Sequence, residues 1–303
     1  MAGRPSARRL ALAAGGMCVV GAAGVGYAWA IERKWFALRR VVVPCLPPDA
    51  DAVRVLQISD LHATPGQPWK VSWVRSLARL SPDLVVDTGD NLAALDGVPA
   101  ALEALEPLLA LPGCFVPGSN DWFAPTAKNP ARYLRPDDGK RRHGDRLPWG
   151  DLRDAFTSAG WIDLTHHRAT IPVRGLTVEL AGVSDPHHNA DHYERIAGPV
   201  TADVGIGVTH SPEPRVVSAF VDDGFSLVLA GHTHGGQLRV PGYGALVTNC
   251  GLERSRARGL SAWGPGWLNV SAGLGTSPYA PVRFSCRPEA TLLTLTARKS
   301  DLP

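Results

Sequence analysis

An α/β architecture with two sheets is what this sequence predicts, and three features lead to it. Apolar runs of strand length occur at residues 53–59, 84–87, 114–117, 204–209 and 225–229, and each leads into a polar residue one to three positions further on. Between the first three runs lie stretches with helical character, at about residues 69–80 and 99–110, so that Asp60, Asp90 and Asn120 fall 30 residues apart, the length of a βαβ unit. Strands near 168–172 and 176–183, joined by a turn at Gly175, then begin a second sheet.

The chain has room for this. It holds 303 residues, 45% hydrophobic and 19% charged, which is material for one large domain. A net charge of +3 is too small to argue for a nucleic-acid partner, and none is expected. Five scattered cysteines with no C-x-x-C indicate isolated thiols, neither a zinc ribbon nor a disulfide framework.

Residues 10–31 carry no charge over 22 positions and are flanked by Arg8 and Arg9 before and Glu32, Arg33 and Lys34 after. That length suits a membrane-spanning helix better than the apolar region of a cleaved signal, about 7 to 15 residues long. Ala28-Trp29-Ala30 nevertheless fits an A-x-A cleavage site, and Arg8-Arg9 a twin-arginine signal, so removal of the segment is the alternative. The expected division is a transmembrane or signal segment at 1–34 and a catalytic domain at 35–303. The domain opens with an edge strand from Trp35, which Pro44 is expected to stop.

The chemistry gathers at the strand ends. The run 225–229 leads into Ala230-Gly231-His232-Thr233-His234-Gly235-Gly236-Gln237, in which glycines free two histidines at i, i+2 to enter one pocket. Alone, that pair could be a turn with two exposed histidines. It is accompanied by Asp60 and His62 after the first strand, Asp90 after the second, Asn120 after the third and His210 after the fourth. Parallel strands linked in βαβ fashion collect their carboxyl ends at one rim, so these side chains are expected to share a site.

The blocks Asp60-Leu61-His62, Gly89-Asp90, Gly118-Ser119-Asn120-Asp121, His210 and Gly231-His232-Thr233-His234 resemble, in order, those of the calcineurin-like metallophosphoesterases. The G-H-T-H-G-G-Q form, residues 31–36 and Ala181-Gly182-Val183-Ser184-Asp185-Pro186 look like the membrane-linked YkuE/YaeI-type branch. The resemblance implies a four-layer α/β/β/α sandwich of two mixed sheets flanked by helices. It also implies two divalent ions, one on Asp60, His62 and His234, the other on Asn120, His210 and His232, with Asp90 bridging them. Carboxylate, amide and imidazole without thiolate suit Mn, Fe or Zn.

The implied reaction is hydrolysis of a phosphodiester or pyrophosphate, in a phosphorylated small molecule, lipid or cell-envelope molecule, by attack of a metal-bound hydroxide. The alternatives are a phosphomonoesterase, or a metal-binding interaction module with little catalysis. The resemblance places the catalytic domain outside the cytoplasmic membrane, anchored to it, or secreted if the signal is cleaved.

One block departs from the family pattern G-N-H-D/E. Aligned without a gap, Ser119 would stand at the metal. A one-residue shift keeps Asn120 as ligand, since an amide oxygen coordinates such ions better than a hydroxyl. Asp121 then stands where the family has the histidine that helps protonate the leaving group, and His187 is the other candidate for that proton. Residues 120–147 form an insertion that either caps the pocket or is a surface excursion. Arg254, Arg256 and Arg258 form a basic cluster that is either an exposed loop or a contact for an anionic substrate group. A helix over 212–221, with Ser211 as cap and Pro212 at its first position, should follow His210.

Overall fold

The protein is described by a computed structural model in which residues 19, 21–127 and 143–298 are placed. Its strands are β1 (Ala37–Leu46), β2 (Val53–Ile58), β3 (Leu84–Asp87), β4 (Gly113–Phe115), β5 (Ile162–Asp163), β6 (His167–Val173) and β7 (Leu176–Gly182). They continue with β8 (Val204–Val208), β9 (Leu227–Ala230), β10 (Arg239–Val240), β11 (Gly244–Ala245), β12 (Gly259–Trp263), β13 (Gly266–Val270) and β14 (Glu289–Ala297).

Two six-stranded sheets form, ordered β1-β14-β2-β3-β4-β5 and β12-β13-β9-β8-β7-β6, and both are mixed. Period-2 alternation along the strands sorts side chains between layers. In β2, Val53 and Val55 join Val178, Ile206 and Leu229 in a core between the sheets, whereas Leu56 and Ile58 join Phe115 and Phe156 in a core on the other face. That outer core is closed by three helices, Pro68–Ser76, Gly97–Leu109 and Trp149–Ser158. Helix Gly97–Leu109 buries Gly97, Ala101, Ala104, Leu105 and Leu108, one stripe at helical spacing. The helix Pro214–Asp222 covers the outer face of the second sheet with Val216, Val217, Phe220 and Val221. Helix, sheet, sheet and helix are thus stacked in four layers.

Two local expectations are corrected. Strand β1 runs through Pro44 to Leu46, because β1 is an edge and Pro44 needs no partner for its missing N–H. The helix after His210 begins at Pro214 with Glu213 as its cap residue, two positions later than expected. Glu32, just before the domain, is buried, and its carboxylate accepts the backbone N–H groups of Ser285 and Cys286.

Residues 21–30 are helical. Among the described residues no helix is long and apolar enough to cross a membrane. Most of the expected anchor, residues 10–18 and 20, lies outside the described residues, as do residues 128–142 of the expected insertion. Among the described residues Cys45, Cys114, Cys250 and Cys286 are free thiols.

Candidate metal centre

Strands β2, β3 and β4 run parallel, as do β8 and β9, so each sheet delivers its carboxyl ends to a rim. The rims of the two sheets are tied together. Gln57 of β2 donates to the Ala230 carbonyl (2.8 Å) and accepts from Asn269 of β13 (2.7 Å), a buried amide bridge from one sheet to the other. His210 lies 2.8 Å through Nδ1 from the Thr88 carbonyl, and the backbone N–H of His232 donates to the Asp60 carboxylate at 3.2 Å. The centre therefore spans both rims, and neither sheet holds it alone.

Asp60, His62 and His234 bring one ligand atom each to within 4.8 Å of one another, and Asp60, Asp90 and His210 do the same. The Nε2 atoms of His62 and His234 stand 3.1 Å apart, and their rings stack at 5.0 Å. Asp90, a member of the second group, also reaches the first: its Oδ2 lies 3.7 Å from His62 Nε2 and its Oδ1 3.4 Å from His210 Nε2. Asn120 sits on the same carboxylate, its backbone N–H donating to Oδ1 and its side-chain amide to Oδ2, both at 2.7 Å. His232 stands beside His210, ring centroids 5.2 Å apart, and its Nε2 is 3.2 Å from the Asn249 carbonyl, which leaves Nδ1 on the other side of the ring. All seven residues expected as ligands thus lie at or beside one point, while Ser119 lines a neighbouring cleft.

The backbone is bent to achieve this. Asp60, His62, Asp90, His232 and His234 all have positive φ, between 44° and 69°. Left-handed conformations of this kind cost non-glycine residues energy and persist where surrounding structure over-determines them. Gly118 is required for space, since a Cβ there would collide with Asp90 Oδ1 and the His210 ring. At Gly231 a Cβ would meet Ser59 Oγ and Asp60 Oδ2.

Electrostatics prepares the side chains for a cation. Burial, partly offset by Asp90, lowers His62 to about 4, and burial together with the charge of His210 lowers His232 to about 3. Burial, His62 and Arg283 hold His234 well below its ordinary value. These three imidazoles are therefore neutral at pH 7, the form that binds metals. Burial acts on His210 in the same direction, but the charge and hydrogen bond of Asp90, with Asp185 and Asp60, outweigh it and raise His210 well above its ordinary value. Burial would likewise raise Asp90, and His210, His62 and Asn120 hold it well below the usual carboxylate range instead.

A proton is thus stabilised between Asp90 and His210, where a divalent ion would supply the same positive charge. His210 Nε2 faces Asp90 Oδ1 at 3.4 Å and has no other hydrogen-bond partner among the described residues. The donor set and the neutral state of three of its imidazoles fit divalent metal.

Asp121 does not stand at a leaving group. It is fully buried, with Oδ2 accepting the backbone N–H groups of Asp90 (2.9 Å) and Gly118 (2.8 Å) and Oδ1 that of Asn91 (2.8 Å). Burial and the charge of Asp90, against the hydrogen bonds of Gly118 and Asn91, push its pKa up to about 8. Its role is to hold the loops that carry Asp90 and Asn120. Asp121→Asn is therefore expected to lower kcat/KM about tenfold, by the same factor for aryl phosphodiesters of low and high leaving-group pKa. A steeper dependence on leaving-group pKa in the variant would return Asp121 to the acid's place.

His187 packs against His232 with ring centroids 4.5 Å apart, and its backbone N–H donates to Asp185 Oδ1 (2.9 Å). The arginine cluster is occupied within the protein: Arg254 lies over the Tyr243 ring, Arg256 bonds the Ala262 carbonyl and Arg258 approaches Glu289 at 3.9 Å.

Two residues at the centre, Arg283 and Lys70, carry no signal in the sequence, and a third, Asp185, carries one only as part of the block 181–186. Arg283 is fully buried, with Nη2 3.3 Å from His234 Nδ1 and donating to the carbonyls of Ala272, Gly273 and Gly275. Lys70 donates to the carbonyls of Leu61 (2.6 Å) and His62 (3.1 Å), and burial, then Arg283 and Arg33, lower it to about 7. Asp185 is buried, and burial, partly offset by His210, raises it to about 6.

A mixed two-sheet α/β sandwich whose carboxyl rims bring together aspartates, histidines and an asparagine defines a metal-dependent phosphoesterase. Residues 53–236 match the sequence model of the family described as calcineurin-like phosphoesterase, and the chain belongs to that family. It is 28% identical over 308 residues to phosphodiesterase YaeI of Escherichia coli (strain K12), covering 95% of this chain and 98% of that protein. It is 26% identical over 291 residues to the uncharacterized metallophosphoesterase YkuE of Bacillus subtilis (strain 168), covering 94% of this chain and 93% of the relative. A transmembrane protein with metallophosphoesterase domain from Danio rerio is 26% identical over 277 residues, covering 84% of this chain and 56% of the relative.

Proposed function

We propose that the protein hydrolyses phosphodiesters or pyrophosphates with two divalent ions held by Asp60, His62, Asp90, Asn120, His210, His232 and His234. The observation that carries this is the convergence of two ligand groups that share Asp60, with Asp90 of the second group also facing His62 of the first. The name of the relative YaeI, a phosphodiesterase, agrees with it. Bound there, the ions, Mn, Fe or Zn, would supply Lewis acidity and lower the pKa of water.

The chain's own residues do the rest. His210 presents Nε2 by turning Nδ1 to the Thr88 carbonyl, and His232 presents Nδ1 by turning Nε2 to the Asn249 carbonyl. Asp90 stands where one carboxylate can serve both ligand groups. Asp121, Lys70 and Arg283 hold the loops from which these side chains project. We assign to His187, whose ring lies against that of His232, the proton for the departing alkoxide.

The proposal extends to attachment at the membrane through residues 10–31, with the catalytic domain outside the cytoplasm and a substrate in the lipid or envelope fraction. The uncharged composition of that segment motivates this part. The test of the chemistry is metal analysis of the purified protein together with turnover of bis(4-nitrophenyl) phosphate. Two ions per chain and turnover lost on chelation are expected. Bound ions without turnover would make the protein a metal-binding interaction module.

A further inference from the structure

Beside the metal centre lies a cleft of about 490 Å³, within the size range of small-molecule sites. Its lining adjoins the ligands at two places. Ser119 immediately precedes Asn120, and Asp185 accepts the N–H of His187, whose ring lies on His232. A group esterified to a phosphate at the metals would extend into this space.

The walls are flat rings. Trp122 ends the short helix Ser119–Trp122 that carries Asn120 and Phe123 follows it in extended conformation, so the chain that supplies the ligand also supplies one wall. Phe123 packs on His143 at 4.3 Å, His143 on His188 at 5.0 Å, His188 on His187 at 5.4 Å, and His187 on His232 at 4.5 Å. A continuous run of rings therefore leads from the cleft to a ligand of the metal centre. A structural cluster of this kind would be closed off in a core. Here Trp122 remains 37% exposed although its ring packs on Trp149, and both Trp122 and Phe123 line the cleft. Ser119, Thr165 and Asp185 add polar groups to the lining.

We propose that this cleft receives a flat, ring-bearing ester group, so that the enzyme prefers phosphoesters whose alcohol component carries an aromatic or heteroaromatic ring. The inference rests on the phosphodiesterase reading for its substrate, and on the ring-lined cleft for its selectivity. Aromatic faces attract other flat rings more than they attract saturated rings of equal size, through the complementary charge of ring faces and edges. A preference of about tenfold is the expected size of such a contact.

The experiment compares phenylphosphonate, cyclohexylphosphonate and methylphosphonate as inhibitors of bis(4-nitrophenyl) phosphate hydrolysis by the metal-loaded full-length protein. All three present the same anionic head to the metals and differ only in the group beside it. Phenylphosphonate is expected to inhibit about tenfold more strongly than either of the others. In Phe123→Ala and Trp122→Ala that ratio should fall towards one, whereas Phe123→Tyr should keep it. Equal inhibition by the phenyl and cyclohexyl compounds in the wild-type protein overturns the proposal even if no variant folds, and so does a ratio unchanged in both alanine variants. If the loaded protein hydrolyses no phosphodiester, calorimetric titration with the same three phosphonates still reads the cleft, so the two readings fail separately.

Discussion

Asp90→Ala is expected to lower kcat/KM for bis(4-nitrophenyl) phosphate by about 10³-fold or more and to leave the purified protein without its full complement of metal. The carboxylate of Asp90 faces His62 through one oxygen and His210 through the other, and receives both hydrogen bonds of Asn120. Its removal takes away the charge that faces a histidine of each ligand group and frees the Asn120 loop. Lewis-acid stabilisation of a phosphoryl transition state is worth several kcal/mol, and each ~1.4 kcal/mol is a factor of ten in rate. Asp90→Asn separates charge from shape, and a comparable loss is expected because an amide cannot replace the negative charge. His187→Ala, by contrast, should cost no more than about tenfold on this substrate, because 4-nitrophenoxide is a good leaving group that needs little of the roughly 10²–10⁴-fold help a general acid supplies to poor ones. Metal content by elemental analysis and steady-state rates decide the matter, and an Asp90→Ala protein with two ions and normal turnover would sink the assignment.

Arg283→Leu is expected to lower the melting temperature by about 10 °C and to weaken metal binding with it. The guanidinium is fully buried and donates to the carbonyls of Ala272 (2.7 Å), Gly273 (3.1 Å) and Gly275 (2.7 Å). Leucine fills part of the space and leaves those carbonyls without donors in a region closed to water. Breaking a buried charged network of this kind costs about 3–5 kcal/mol, and in a chain of this size each kcal/mol shifts the melting point by roughly 2–4 °C. The same loop lies against the ligands: Gly275 donates its N–H to the Asp60 carbonyl and Leu274 to that of Ser59. Calorimetric melting with and without added Mn²⁺ reads both effects. An unchanged melting temperature would mean that the carbonyls find other donors and that Arg283 does not brace the centre.

The fold class and the residues of the centre were legible because both are written locally. A buried strand that ends in Asp or His is a short-range pattern, and a spacing of 30 residues between Asp60, Asp90 and Asn120 reports the helix between two parallel strands. The family followed from the order of those blocks. The roles around them were not legible. Asp121 reads as a spare carboxylate beside a ligand, and only the folded loops show its two oxygens accepting three backbone N–H groups.

What the sequence determined by itself is where strands stop and which polar side chain each one ends in. What tertiary structure alone decided is how those ends meet. Strand β14 enters the first sheet between β1 and β2, pairing Thr291 with Gln57 and Leu293 with Val55 from the far end of the chain. Gln57 and Asn269 look like polar faults in apolar strands, yet their buried amides bridge the two sheets beneath the site. Arg283 and Lys70 would be assigned to the surface by residue type, and they are buried because backbone carbonyls of the ligand loops need donors that no nearby residue supplies. Such partners are chosen by packing over tens to hundreds of residues, and no local pattern of hydrophobicity records that choice.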